Sequence, residues 1–420
     1  MRVTAKFCVA LLMGAVIAGG VSTVSAADKD KDAKEAAAKE NKVSAPLAKP
    51  LKAVNDAIGA KNYDEALAKL KEADAVPSKS PYDQFVINRM YGAAYAGSKQ
   101  YPEAAKALEA ALEGGFYTPE ETATTEKALA QVNYQIKNWD KAADFGNRAI
   151  KRGTADDDMY TLVAQAYYLS NNFKDTQKFV GSYLDDSVKA GKSPKEQTLQ
   201  LYLSACVKLD DQACTQDALE KLVAYYPKTE YWQNLLYSMF QQQGQTEKSL
   251  LNVYRLASEV DALKRPEDYT EYAQLAIEAG SPGEAQNILE KAMAKNVFTD
   301  ARALDKNKRL LESAKKQAES DKAGLDKIAN DAASAKTGDK DVSVGLAYIG
   351  YKQFDKAVQS LERGLAKPGV QNEAEARLLL GIAQLGAGKK DEAQKSFQAV
   401  KGDAKLERLA NLWSLHARQA

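Results

Sequence analysis

The sequence predicts an all-α fold in which helix–turn–helix repeats stack into a solenoid. Three observations predict it. A short motif of turn, aromatic, acidic residue and Ala recurs along the chain, its copies keep a near-constant spacing, and the apolar residues around each copy recur at separations of three and four, the period of a helix. The 420 residues are 45% hydrophobic and 27% charged, a globular composition with enough apolar material for a sizeable core.

Residues 1–26 do not belong to the repeats. Arg2 and Lys6 precede an apolar run from Phe7 to Ala18, and small residues end at Val24-Ser25-Ala26, the order of a secretory signal peptide. Its removal takes away Cys8, Arg2 and Lys6 and leaves 56 basic against 57 acidic groups, so the expected location is a bacterial periplasm. No Cys directly follows the apolar core, so no lipid anchor is expected. Residues 27–50 read as a charged flexible linker: ten of the fifteen residues from Asp28 to Lys42 are charged, and Pro46 and Pro50 punctuate its end.

The repeats occupy 51–298, seven units by this reading. Lys61-Asn62-Tyr63-Asp64-Glu65-Ala66 returns as Lys99-Gln100-Tyr101-Pro102-Glu103-Ala104 and as Lys137-Asn138-Trp139-Asp140-Lys141-Ala142, then at Thr176, Thr215, Ser249 and Ala285, and again at Ala357 and Ala393. Neighbouring copies lie 34 to 39 residues apart, except for one interval of 72, twice 36, which places a degenerate elongated unit at 299–338 and two further units at 339–403. Within a unit, a small residue twelve before the anchor has an aromatic three further on (Gly92 with Tyr95, Ala164 with Tyr167, Gly345 with Tyr348). A large apolar residue sits four after the anchor (Leu108, Val180, Leu289, Leu361, Phe397). Each unit is therefore two helices, the small residue being expected to pack against a neighbour's aromatic. Leu304, Leu311, Ala318 and Leu325 recur every seven residues in the degenerate unit, read as two elongated helices. Leu406, Leu409, Trp413 and His416 make 404–420 a capping helix.

With these motifs the chain resembles the tetratricopeptide repeat family, whose pattern of Leu-Gly-x-x-Tyr, Ala, Phe, Ala and Pro has a period of about 34, over roughly 350 residues. The resemblance implies a right-handed α-solenoid of about ten such units with a C-terminal capping helix, in which the first helix of each unit lines a concave groove. On this chain that groove maps onto Arg89, Lys127, Gln131, Tyr134, Gln165, Tyr168, Gln200, Ser204, Tyr231, Asn234, Ser238, Gln241 and Gln274. These are mainly amides and phenols, groups that bond a peptide backbone and offer apolar area at low entropy cost. The departures are Gly146 in the slot of a large residue, Cys206 in that of an aromatic, and the long period. The family's carboxylate clamp is not intact, because Lys127 is followed by Gln131 and Leu162 fills the Asn slot of the next unit.

Chemistry is sparse. His416 is the single His, which leaves no base for a Ser-His-Asp or Cys-His arrangement outside a capping helix. Zinc needs several His or Cys ligands; Asp28-x-Asp30-x-Asp32 lacks the Gly and Glu of a calcium loop, Asp156-Asp157-Asp158 reads as helix-start acid, and Gly386-Ala387-Gly388-Lys389-Lys390 is an inter-helix turn. No catalytic residue, metal or cofactor is expected. Cys206 and Cys214 flank a turn and are read either as a disulfide staple or as two buried thiols. The balanced charge excludes nucleic acid as a partner. The reading is a non-enzymatic periplasmic scaffold binding a protein or peptide between about Arg89 and Gln242, in envelope assembly or maintenance. The alternatives are a glycan-binding or glycan-active envelope protein and a self-assembling solenoid. Val342, Leu346, Ile349, Leu378, Ile382 and Leu385 turn the last groove slots apolar, to be covered by the chain itself or by an oligomeric contact.

Overall fold

The structure, a computed structural model, describes residues 41–241, 244 and 246–419; the signal segment, Cys8 and the charged start of the linker lie outside the described residues. Twenty helices and no strand are found among the described residues, divided between two compact units that meet in sequence between Asp211 and Gln212. Unit 1 holds α1 (Ala45–Gly59), α2 (Tyr63–Asp74), α3 (Pro81–Gly97), α4 (Tyr101–Glu113), α5 (Pro119–Gln135), α6 (Trp139–Lys151), α7 (Asp157–Leu169), α8 (Phe173–Lys189) and α9 (Glu196–Lys208). Unit 2 begins with α10 (Gln212–Tyr225), α11 (Thr229–Phe240), α12 (Glu247–Glu259), α13 (Pro266–Glu278), α14 (Pro282–Ala294) and α15 (Ala301–Ser334). It ends with α16 (Asp339–Gly350), α17 (Phe354–Ala366), α18 (Glu373–Gly386), α19 (Lys390–Gln398) and α20 (Ala404–Gln419). Successive helices pack as antiparallel neighbours, α1 with α2, α3 with α4, α5 with α6 and α7 with α8 in unit 1, and α13 with α14, α16 with α17 and α18 with α19 in unit 2.

The recurring motif is a helix terminator. At eight copies of the motif the preceding helix ends in a residue of left-handed conformation: Lys61, Lys99, Lys137, Asn171, Asp210 and Lys352 at φ between 53° and 62°, and Gly280 and Gly388 in the same place. The next residue's N–H then bonds the carbonyl five residues back, as Asn62 to Ala57, Gln100 to Tyr95 and Asn138 to Asn133 do, at 2.8–3.1 Å throughout the set. This double reversal satisfies the last carbonyls of the helix and aims the chain into the next one. Lys at the turn is strained where Gly is not, so the motif is carried by backbone geometry more than by residue type.

Packing between the paired helices also follows the repeat, with one correction. The small residue of the first helix meets the large residue of the second helix in its own unit, and not a neighbour's aromatic. A Cβ on Gly92 would lie 2.4 Å from Leu108, on Gly345 2.5 Å from Leu361, and on Gly381 2.4 Å from Phe397. The contact between units is made instead by the turn aromatic, since Gly97 closes on Tyr63 and Gly386 on Phe354. Gly146, the departure in the third unit, leaves room that Val163 of α7 fills.

Two boundaries move. Residues 45–50, assigned to the linker, are helical: Pro46 sits in the first turn, where a missing N–H costs nothing, and Leu47 and Leu51 are buried. Ser44 ties that start down by donating to the Asp83 carboxylate through both its N–H, at 2.9 Å, and its hydroxyl. The degenerate segment is one uninterrupted 34-residue helix, α15, not two; it contains no Pro, and its one glycine, Gly324, is flanked by strong helix formers. Ala314, Ala318, Leu325 and Ala332 form its narrow buried stripe.

Unit 2 folds back on itself. α20 packs on α18 and α19 and also on α12, Arg408 pairs with Glu220 of α10 at 2.9 Å, and the Gln419 amide donates to the Val223 and Ala224 carbonyls. The terminal helix thus closes the unit and is more than an end cap. α12 is enclosed as a result, with every residue from Leu251 to Ala257 buried. In the last repeats Ile349, Leu378 and Ile382 are buried within the chain, and Val342, Leu346 and Leu385 are half-buried.

Candidate functional site

In unit 1 the residues assigned to the groove come together along the first-helix face of α3, α5, α7 and α9, and most are bonded to the next repeat. Arg89 on α3 donates to Glu121 of α5 at 3.1 Å and lies over the Tyr117 ring. Lys127 on α5 reaches the Thr154 carbonyl and the Asp156 carboxylate ahead of α7, both at 3.1 Å. The Tyr134 hydroxyl donates to the Gln165 side-chain oxygen at 2.7 Å, and the Tyr168 and Ser204 hydroxyls meet at 2.7 Å. The result is a ladder with a rung at each repeat step. Tyr134 and Tyr168 are also held edge-on by Trp139 and Phe173, the turn aromatics of their own units.

The ladder changes how the face is read. Gln165 is 4% exposed, so it belongs to the packing between repeats and does not present its amide to a partner, contrary to the expectation from its slot. Arg89, Lys127, Gln131, Tyr134, Tyr168, Gln200 and Ser204 are half-buried, with an edge available to solvent. Sequence reasoning missed two apolar members: Leu169, one turn beyond Gln165, and Val207, three residues beyond Ser204, are 45% and 58% exposed. Burial pushes the Tyr134 phenol up, so it donates at every physiological pH. Asp156 is a helix cap as expected, accepting from Met159 N–H at 3.0 Å; burial works against its charge, but that bond and Lys127 hold its carboxyl below the usual range.

In unit 2 the assigned residues do not form one surface. Tyr231 is buried and is corrected in the same way as Gln165; Ser238 turns its hydroxyl back onto the Leu235 carbonyl. Asn234, Gln241 and Gln274 are exposed. The polar feature of this unit lies inside it. Arg255 of α12 binds Glu284 of α14 through two parallel bonds of 2.7 and 2.8 Å, its third nitrogen donates to Asn252 at 2.6 Å, Asn252 donates to Glu375 of α18, and Tyr272 of α13 donates to Glu284 at 2.7 Å. Burial opposes the charge on Glu284, yet the Arg255 guanidinium holds its carboxyl below the usual value. Asn252 and Arg255 interrupt the otherwise apolar stretch 250–257 in the sequence, the one signal that would have found this network.

His416 stands between Trp232 and Trp413, edge-on to both, with Nε2 3.6 Å from Glu259, whose carboxyl it holds down. It is a packing residue of α20. Cys206 and Cys214 are buried and disulfide-bonded. Among the described residues no group of three or more His, Cys, Asp or Glu side chains is placed to hold a metal ion, and no helix is long and apolar enough to cross a membrane.

No protein-family model and no curated protein matches the chain. Among solved structures it is similar at low score to Naa15/Naa10 bound to HypK-THB (15% identity, 92% of this chain and 63% of that one, TM-score 0.30). It is similar also to a tetratricopeptide repeat protein from Parabacteroides merdae (11%, 80% and 98%, TM-score 0.30) and to the apo form of RapI (13%, 86% and 92%, TM-score 0.34). The chain spans 63% of the length of the first of these.

Proposed function

We propose that the protein is a non-enzymatic scaffold of the exported bacterial envelope that binds a protein or peptide partner on the first-helix face of unit 1. The observation that carries this reading is the ladder itself. Tyr134, Tyr168, Ser204, Arg89 and Lys127 are fixed by bonds to the neighbouring repeat while keeping an edge exposed, so a partner that lies along them orders few side chains on binding. Leu169 and Val207 add exposed apolar area beside the hydroxyls. Tyr and Arg, which the ladder holds in place, are residue types that binding hot spots favour. A glycan ligand would call for paired carboxylates under an aromatic platform, and on this face the carboxylates Glu121 and Asp156 are committed to Arg89 and Lys127.

The test is in-cell crosslinking followed by pull-down with the full chain as bait. Enrichment of a specific envelope protein, lost in a Tyr168→Ala/Val207→Ser variant that keeps its helicity, supports the reading; unchanged capture by that variant contradicts it. Mass spectrometry of the exported protein tests the location separately, with Ala27 as the expected first residue.

A further inference from the structure

Outside the ladder, unit 2 has an open cleft of about 460 Å³ where α13 faces the first half of α15. α13 contributes Gln274. From α15, Arg302, Lys306, Arg309 and Ser313 follow at steps of four, three and four, which sets them on one stripe, with Asp305 and Leu310 beside it.

Three cations therefore face one carboxylate. Arg309 shares itself with Asp305 at 2.7 Å, whereas Arg302 and Lys306 form no ion pair among the described residues. Two cations further along the same helix are engaged by the chain: Lys315 pairs with Glu290 at 3.0 Å and Lys322 lies over the Tyr351 ring at 4.8 Å. Arg302 does not serve the helix either. The first turn of α15 holds no acidic residue, and basic side chains near that end oppose the helix dipole.

We propose that this cleft is a second recognition site, for an acidic stretch of a partner protein, independent of the unit 1 face. Side chains one helical turn apart, as Arg302 and Lys306 are, sit about 5–6 Å from each other. Alternate residues of an extended peptide repeat at about 6.6 Å on one side, so carboxylates at every second position meet both cations. The Gln274 amide donates to and accepts from a peptide backbone, the Ser313 hydroxyl does the same, and half-buried Leu310 gives one apolar side chain a floor. A simple anion would use the cations alone; the amide, the hydroxyl and the leucine favour a peptide.

The probe is a fluorescent peptide with Glu at every second position and Leu and Ser between, compared with its counterpart carrying Gln for each Glu, titrated at low salt against the full chain. The Glu peptide should bind about ten-fold tighter or better, and the preference should fade as salt rises. The exposed double variant Arg302→Gln/Lys306→Gln should remove the preference with circular dichroism unchanged, while Lys308→Gln, of the same helix but off the stripe, should keep it. Equal binding of the two peptides would overturn the proposal, as would a loss with Lys308→Gln per charge as large as with the double variant. Retention of the preference by the double variant, or binding that the double variant abolishes for heparin or phosphatidylglycerol vesicles but not for the peptide, would overturn it too.

Discussion

The two units use the same helix pair for opposite ends. Unit 1 leaves the outer polar groups of its ladder at the surface and ties them together across repeats, so that Arg89 and Glu121 keep 19% and 37% of their side chains exposed. Unit 2 closes with α20 and places its polar groups inside, where Arg255 and Glu284 keep 4% and 8%. A surface pair is worth little because water screens it, and a buried one is costly to break because the abandoned charge has no solvent. The comparison teaches that the motif specifies the pair and its turn, while the residues between motifs decide whether the resulting face is open or closed.

The largest expected effect comes from breaking the buried pair. Glu284→Ala strands Arg255 and should cost about 3–5 kcal/mol in urea unfolding, whereas Glu121→Ala in unit 1 should cost at most about 1 kcal/mol. The same pair carries a pH signature. The Glu284 carboxyl is held below 4.5 in the folded chain, so its contribution is present above that value and is lost as the pH falls through the lower folded value; the sign makes unit 2 acid-sensitive. Glu284→Gln should flatten the acid limb of stability, measured by unfolding between neutral pH and pH 3.

Core truncation follows. Ile382→Ala should cost about 2–5 kcal/mol in thermal or urea unfolding, because Ile382 is buried, while Leu169→Ala should fall within about 0.5 kcal/mol. Gln165→Ala lies between them. It removes the Gln165 oxygen that the Tyr134 hydroxyl bonds and should cost about 1–3 kcal/mol, which makes Tyr168 the cleaner residue for binding experiments. One substitution should bring a modest gain. Lys137→Gly relieves a left-handed φ of 61° and should raise stability by about 0.5–1 kcal/mol, read as a higher melting temperature.

Much of this architecture was legible in the sequence for a physical reason. A Schellman-type turn is local chemistry, and its eight geometrically equivalent copies, five of them followed by an aromatic, stand at the spacing the sequence showed. The single helix α15 was misread as two because its period in the repeat register required two, whereas nothing between Ala301 and Ser334 stops a helix. The ladder was half visible. Tyr134, Tyr168 and Ser204 were assigned to the face, but a slot in a repeat does not say whether an amide faces solvent or a neighbour's phenol, which is why Gln165 and Tyr231 were misplaced. The Arg255 network joins residues 123 apart in sequence through Asn252 and Glu375, and no local pattern encodes such a contact.

The central claim is that the envelope partner is held on the open ladder of unit 1. A photo-crosslinking amino acid placed in turn at Gln131 and Ser204 on that face, and at exposed Gln359 on α17 of unit 2, tests it most directly in living cells. Crosslinks to one and the same envelope protein from positions 131 and 204, with none from 359, are the predicted result. Adducts of equal yield from all three positions, or from 359 alone, would contradict it.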